Sequence, residues 1–412
     1  ALLVIEGDEK MQTILKGTIT EGFEAETWTP VPGHPNIYSH SWNQDLGVVA
    51  GPWANIFDDH DTLIRGIAQR GELLVVNDRI LEQKLLEEYL WIDPDGAAGI
   101  NEDGIIHKDN KDGTLQYQGL SEKGLDVLDS PWTFAVADHP DTDSDLRDRI
   151  FMKVPEGYRL QETDKIEVGA PREPFLDWPA NREWGFHYLP SPLFIANKDN
   201  VVIRNLVIRH GSTHLLGAAC HLWDVSNALI EDCVISDNNG IGLSVTGRGK
   251  PHNVTVRRCR LNNNGYAGLR PPGRQSLVED VEVCFNNWRG DWGGFNGVDA
   301  SGMKVGRANQ TTFRRCVAIG NRTHGFWDDV YSKGVSFEKC LAYANYDHGF
   351  FIELSGSDNS VGDGRISHSV SVANGRSGYQ ILEYRRPSLT HSISALNKET
   401  QLPGYRSITG LS

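Results

Sequence analysis

Two acidic residues repeat one strand position. Asp329 and Glu353 each stand eight residues beyond an Asn, in the segments Gly325-Phe326-Trp327-Asp328-Asp329 after Asn321 and Gly349-Phe350-Phe351-Ile352-Glu353 after Asn345. If the two segments are strands stacked one above the other, their backbones lie about 4.8 Å apart. Double-displacement cleavage of a glycosidic bond needs two carboxyl groups about 5 to 5.5 Å apart. Two like charges at that range disfavour joint ionisation, which leaves an acid beside a carboxylate, the pairing of a general acid/base with a nucleophile. Period-two alternation sends Phe326, Phe350 and Ile352 inward and Trp327, Phe351, Asp329 and Glu353 outward, where aromatic faces suit a sugar ring. The competing reading is coincidence among 55 acidic residues, because surface strands often carry acids.

Further candidates surround this pair. Arg270 lies two residues before the carboxylate offset on an earlier repeat, and Lys304 lies in the irregular repeat before the Asp329 strand; either cation could hold substrate hydroxyls or lower a carboxylate pKa, or be a solvated surface charge. His324 and His348 precede the repeat Gly and read as structural turn residues or as ligands of sugar oxygens. The loop Trp288-Arg289-Gly290-Asp291-Trp292-Gly293-Gly294-Phe295 is either a binding-site wall, with Trp288 and Trp292 exposed, or ordinary packing. Asp299 and Glu383 are possible third carboxylates.

The elements that must position these groups form a repeat. Cys233-Val234-Ile235-Ser236-Asp237-Asn238, Cys259-Arg260-Leu261-Asn262-Asn263-Asn264, Cys316-Val317-Ala318-Ile319-Gly320-Asn321 and Cys340-Leu341-Ala342-Tyr343-Ala344-Asn345 share one phrase. With His210 taken at the Asn position, the anchors 210, 238, 264, 286, 321, 345, 374 and 397 are separated by 28, 26, 22, 35, 24, 29 and 23 residues. That is the period of one coil of a parallel β-helix, in which equal offsets form columns of like side chains. The Asn column marks a tight bend where a left-handed backbone is tolerated and amides can ladder. Cys233, Cys259, Cys316 and Cys340 share an inward column. Stacked Cβ vectors are nearly parallel there, so the six cysteines are expected as buried free thiols rather than a disulfide framework. The absence of any CxxC pair makes zinc improbable, and no metal site is assigned.

Composition agrees. The 412-residue chain carries 40 Lys and Arg against 55 Asp and Glu, a net charge of −15, which argues against nucleic acid as a partner. With 43 Gly and 18 Pro the chain is expected to be all-β, and no run approaches the roughly 18 apolar residues of a membrane span. It opens on Ala1, so a removed leader or a trimmed start is expected, with a secreted or periplasmic location. Residues 1–190 lack the repeat phrase and read as an N-terminal β-rich module holding the start of the helix. Residues 191–412 read as the parallel β-helix with the active site. A transition is expected over Pro179–Pro192 and a helical piece at Ile80–Leu86. Asp141-Thr142-Asp143-Ser144-Asp145 looks like a calcium loop. Leu146 and Met152 stand where such a loop needs Gly and Glu, so a solvated acidic turn is expected; no cofactor is required, though calcium remains open.

The Asp and Glu strands resemble the paired G-x-W-x-D and G-x-F-x-E-x-S strands of β-helical glycoside hydrolases of families 120 and 141. Arg70-Gly71-Glu72-Leu73-Leu74-Val75-Val76-Asn77-Asp78 and Phe194 through His210 are also similar to such proteins. The resemblance implies a right-handed parallel β-helix, a carbohydrate substrate of plant or algal origin, Asp329 as nucleophile and Glu353 as acid/base. The sequence departs from the pattern at Asp328, where an apolar inward residue is expected. Either a bulge makes Asp328 the exposed acid or it is a buried partner, with Asp329 the preferred nucleophile. The alternatives are a polysaccharide lyase or uronate epimerase, with Lys304 or Arg270 as base and Asp329, Glu353 and Asp299 on calcium or substrate, and a non-catalytic carbohydrate-binding solenoid. Oligomeric state is left open.

Overall fold

In the computed structural model the described residues are 2–42, 71–92, 116–138, 142, 145–169, 191–213, 217–247, 251–270, 273–290, 300–306, 308–329, 332–353, 364–382, 388–398 and 406–408. Three sheets of short, mostly parallel strands wrap one apolar interior. The first, which carries the candidate site, stacks Leu193–Ala196, Ala218–Trp223, Ile241–Thr246, Ala267–Arg270, Ser301–Gly306, His324–Asp329, Phe350–Ile352 and Tyr379–Ile381, and ends on the antiparallel Arg406–Ile408. The second runs from Leu3–Glu6 and Val201–Arg204 to Ser388–Thr390, and the third includes Val207–Arg209, Val234–Ser236, Val317–Ile319 and Leu341–Tyr343. The chain is an all-β parallel solenoid, as the repeat requires.

The interior follows the period of two. Val256, Val278, Phe313, Phe337 and Ile366 form one column, and Phe326 stacks on Phe350 with ring centroids 4.9 Å apart. All six cysteines are free and buried. Beside them runs a buried amide ladder in which each Asn Nδ2 donates to the next Oδ1, from Asn238 to Asn264 at 2.8 Å, and from Asn321 to Asn345 at 2.8 Å. Oδ1 of Asn321 and of Asn345 also accepts the backbone N–H of the preceding Asn, which satisfies those buried donors. The ladder also explains the repeat Gly: a Cβ on Gly325 would sit 2.7 Å from Gly349 O and 2.8 Å from Asn345 Nδ2.

One anchor shifts. Arg209 pairs with Ser236, and Gly211 N donates to Asn238 Oδ1 at 2.7 Å, so Gly211, not His210, occupies the Asn position. His210 lies one residue earlier, in the left-handed turn conformation at φ 56°. It is held there by Glu167, a buried carboxylate that also accepts hydrogen bonds from Lys16 and Thr18.

The second sheet holds a pattern the repeat phrase did not reveal. Glu6, Arg204, Glu231, Arg257, Glu279, Arg314 and Glu338 share one outward offset on seven consecutive strands, alternating in sign throughout. Arg204 Nε lies 2.9 Å from Glu6 Oε1 and Arg257 Nη2 lies 2.7 Å from Glu231 Oε2. Each exposed pair contributes about 0–1 kcal/mol, and within this column no like charges stack on consecutive strands.

Leu3–Glu6 and Ile14–Lys16 pair in parallel with Val201–Arg204 and Val207–Arg209, so both strands belong to the solenoid. The chain then builds small sheets before returning. One orders Thr29–Pro30, Ile37–Ser41, Arg149–Lys153, Thr133–Ala137 and Glu82–Gln83, and another orders Thr18–Ile19, Ile166–Gly169, Leu74–Val76 and Arg79–Ile80. The helix expected at Ile80–Leu86 is absent. Leu81 and Gln83 are buried while Glu82 and Lys84 are half-buried, which is a strand alternation, and the tight turn at Asn77 and Asp78, both with positive φ, launches it as a hairpin. The segment Pro179–Pro192 lies outside the described residues except at its last two positions, as does the acidic run at 141–145 apart from Thr142 and Asp145.

Candidate active site

The site lies on the outer face of the first sheet. Register aligns Met303, Phe326 and Phe350 inward, then Lys304, Trp327 and Phe351 outward, then Val305, Asp328 and Ile352 inward. Asp329 follows, opposite Gly306, and Glu353 N donates to Asp328 O at 2.8 Å, continuing the ladder so that Glu353 occupies the Asp329 offset on the next coil. The two carboxylates therefore stand on adjacent coils and on one face. Asp328 sits in the inward column, 1% exposed, between Val305 and Ile352, and the register passes through it without a bulge.

Both carboxylates lean toward the preceding coil. Asp329 Oδ2 lies 2.7 Å from Lys304 Nζ, and Glu353 Oε1 accepts a 3.0 Å hydrogen bond from Trp327 Nε1. Lys304 is 7% exposed and its ammonium lies 3.6 Å above the Trp327 ring. Burial lowers its pKa, helped by Arg270 and opposed by Asp329 and Glu353. Lys304 is thus no solvated surface cation: its coil is regular at this point, in a six-residue strand aligned with that of Trp327. Arg270 falls in the same outward column, since Leu269 pairs with Met303.

Trp327 departs from expectation. It points outward as the alternation requires, yet it is only 8% exposed, because Lys304 covers its face and His324 meets it edge-on at 5.0 Å. An exposed stacking platform is therefore not found at Trp327. Phe351 is half-buried and packs on His324, His348 and Trp327.

His324 and His348 stack as expected, with ring planes 7° apart and centroids at 5.2 Å. Each Nδ1 accepts a backbone N–H from the following coil, from His348 at 3.4 Å and from Ser377 at 3.1 Å. Those bonds require the neutral tautomer with its proton on Nε2. Burial pushes the His348 pKa down to about 4 and that of His324 well below its ordinary value. Asp347 completes a cluster with them; burial raises its pKa, while Arg376 Nε at 2.8 Å opposes that. Two imidazoles and a carboxylate suit zinc rather than calcium, but both Nδ1 atoms are already engaged by backbone N–H groups.

A pH dependence of stability follows. His348 stays neutral in the fold while the unfolded chain takes up its proton below about pH 6.5. Its contribution is therefore present above that pH and is lost as pH falls toward about 4, amounting to about 3 kcal/mol. Urea denaturation should show His348→Gln losing less stability than the wild type between pH 7 and pH 4; equal losses would refute the assignment.

Asp347 and Arg376 are groups the repeat register did not single out; the available signal was the position of Asp347 beside His348 in the turn. Trp288 is half-buried and its Nε1 donates to Asn263 O at 2.9 Å, while Arg289 is 1% exposed, so this end of the loop is packed rather than a free wall. Trp292, Asp299 and Glu383 lie outside the described residues.

Comparisons with known proteins agree with this architecture. A family described as "Right handed beta helix region" matches residues 186–271. No curated protein matches the chain. Among solved structures, the complex structure of XylC with xylose is similar at TM-score 0.59 and 12% identity, over 97% of this chain and 61% of that one. A structure described as a glycoside hydrolase has TM-score 0.45 and 10% identity, covering 97% and 86%. The Azotobacter vinelandii mannuronan C-5 epimerase AlgE4 A-module has TM-score 0.39 and 14% identity, covering 52% and 65%. The fold is that of a right-handed parallel β-helix protein. The chain spans about three-fifths of the length of the XylC structure.

Proposed function

We propose that the protein is a retaining glycoside hydrolase acting on plant or algal glycans, akin to the β-helical hydrolases of families 120 and 141. One observation carries the reading: Asp329 and Glu353 share an outward offset on consecutive coils, while Asp328 is turned into the core. Adjacent coils set the two carboxyl groups near the separation that double displacement needs. The similarity of fold to a protein solved with xylose is consistent with a sugar ligand.

In the first step an Asp329 oxygen attacks the anomeric carbon as the glycosidic C–O bond breaks, and Glu353 transfers its proton to the departing oxygen. Lys304, held against Asp329, fixes the nucleophile and maintains a largely buried counter-charge beside it. In the second step Glu353 takes a proton from water, which attacks the anomeric carbon and releases Asp329. The test is a screen of aryl glycosides and polysaccharides, with the first-formed anomer followed by NMR. Retention of configuration is expected, and inversion or a lack of cleavage across the panel would overturn the reading.

A lyase or epimerase would draw on Lys304 as base, since burial lowers its pKa. Its ammonium already contacts both Asp329 and the Trp327 ring. A lyase product absorbs in the ultraviolet through its new double bond, so the same screen separates the two readings.

A further inference from the structure

Two side chains, Trp327 and Lys304, link the two carboxylates. Trp327 lies in register between Lys304 on the coil before it and Phe351 on the coil after it. Lys304 Nζ sits 3.6 Å above the indole and 2.7 Å from Asp329 Oδ2, and the indole Nε1 donates to Glu353 Oε1 at 3.0 Å. The ring is too covered to serve as a sugar platform, yet its two polar contacts lead one to each acid, through Lys304 to Asp329 and directly to Glu353.

We propose that Trp327 is a positioning residue that holds Glu353 through its Nε1–H and couples the ionisation of Glu353 to the Asp329–Lys304 ion pair. This rests on the reading of Asp329 and Glu353 as the reacting pair. A cation over an indole face draws electron density from the ring and makes its N–H a stronger donor. In the free enzyme Lys304 faces the Asp329 carboxylate directly, and a second negative charge on Glu353 is disfavoured. When Asp329 becomes a glycosyl ester its charge disappears, and Lys304 then acts on Glu353 alone, directly and through the indole. The carboxylate form of Glu353, which the second step needs as base, gains support at the moment it is required.

Asp329 holds the Glu353 offset on the coil before, and Lys304 and Arg270 lie one offset earlier on the two coils before that, where Arg270 and Glu353 both act electrostatically on Lys304. His324 and His348 lie beyond Phe351 as neutral rings. On the coil after, Leu382 N bonds Ile352 O, and the register sets the uncharged Leu382 opposite Glu353.

The test has a readout that needs no substrate. In protein labelled with 15N-Trp, the Nε1–H resonance that disappears in Trp327→Phe should shift with pH in the wild type, and that titration should vanish in Glu353→Gln. On any glycoside that is turned over, Trp327→Phe keeps a ring beneath Lys304 but removes the donor. The ionised form of Glu353 is then less favoured, so the basic limb of the kcat/KM profile should move up by about one pH unit. kcat should fall about tenfold with KM little changed. An indole resonance that does not titrate overturns the proposal even if no glycoside is cleaved. A basic limb left in place, or a higher KM at constant kcat, also overturns it and would make Trp327 a sugar contact. If Trp327→Phe does not fold, the indole is assigned by its response to Glu353→Gln, and the titration still decides.

Discussion

Asp329→Ala is expected to lower kcat by about four orders of magnitude or more, the loss seen when a hydrolase nucleophile is removed from a unit that acts together. Added azide should restore turnover by attacking the anomeric carbon in place of the carboxylate, giving a glycosyl azide of inverted configuration. That product separates loss of a nucleophile from loss of structure. The distinction matters here because the substitution also strips Lys304 of its partner, and an uncompensated buried charge costs about 3–5 kcal/mol. Thermal unfolding of the variant should therefore be lowered as well. Asp328→Asn should retain turnover, because Asp328 faces the core between Val305 and Ile352. Loss of activity in Asp328→Asn, with azide rescue in that variant and not in Asp329→Ala, would reassign the nucleophile.

Glu353→Ala is expected to divide substrates by leaving group. With alkyl or sugar leaving groups kcat/KM should fall about 10³-fold, within the range a positioned general acid supplies. With a dinitrophenyl leaving group, which departs without a proton, the first step should be little changed. Water would then lack its base in the second step, so the glycosyl ester should accumulate and stopped-flow absorbance should show a burst followed by slow turnover. Equal losses on both substrate types, with no burst, would remove Glu353 from the acid/base role.

The amino-acid sequence carried the architecture because a solenoid writes its geometry as a period. The Asn and Cys recur at one offset, and strand alternation after each Asn places Phe326, Phe350 and Ile352 inside. The pairing of Asp329 with Glu353 follows from equal offsets alone, as does the stacking of His324 on His348. The repeat phrase is missing from the first 190 residues, and the sequence did not show that Leu3–Glu6 and Ile14–Lys16 pair into the solenoid or how the small sheets between them order their strands. Those strands pair across up to 110 residues or more, as Ser39 does with Phe151, and no local period records such contacts.

Where side chains lean, and which ones cover others, emerged only when the coils were packed together. Sequence spacing makes Trp327 an outward ring and Lys304 a cation of the irregular repeat, on substrate or in solvent. In the folded chain the regular strand Ser301–Gly306 brings Lys304 against the Trp327 ring face, where its ammonium also reaches Asp329 and both side chains are largely buried. The off-by-one placement of His210 has the same origin, since a turn of variable length hides the register that the hydrogen bond from Gly211 to Asn238 reveals. A one-dimensional repeat fixes which offset a residue occupies and which face it takes, because both depend only on backbone period. Burial, ion pairing and tautomer depend on contacts between coils 22 to 35 residues apart in the chain, and these are set by the packing of the whole solenoid.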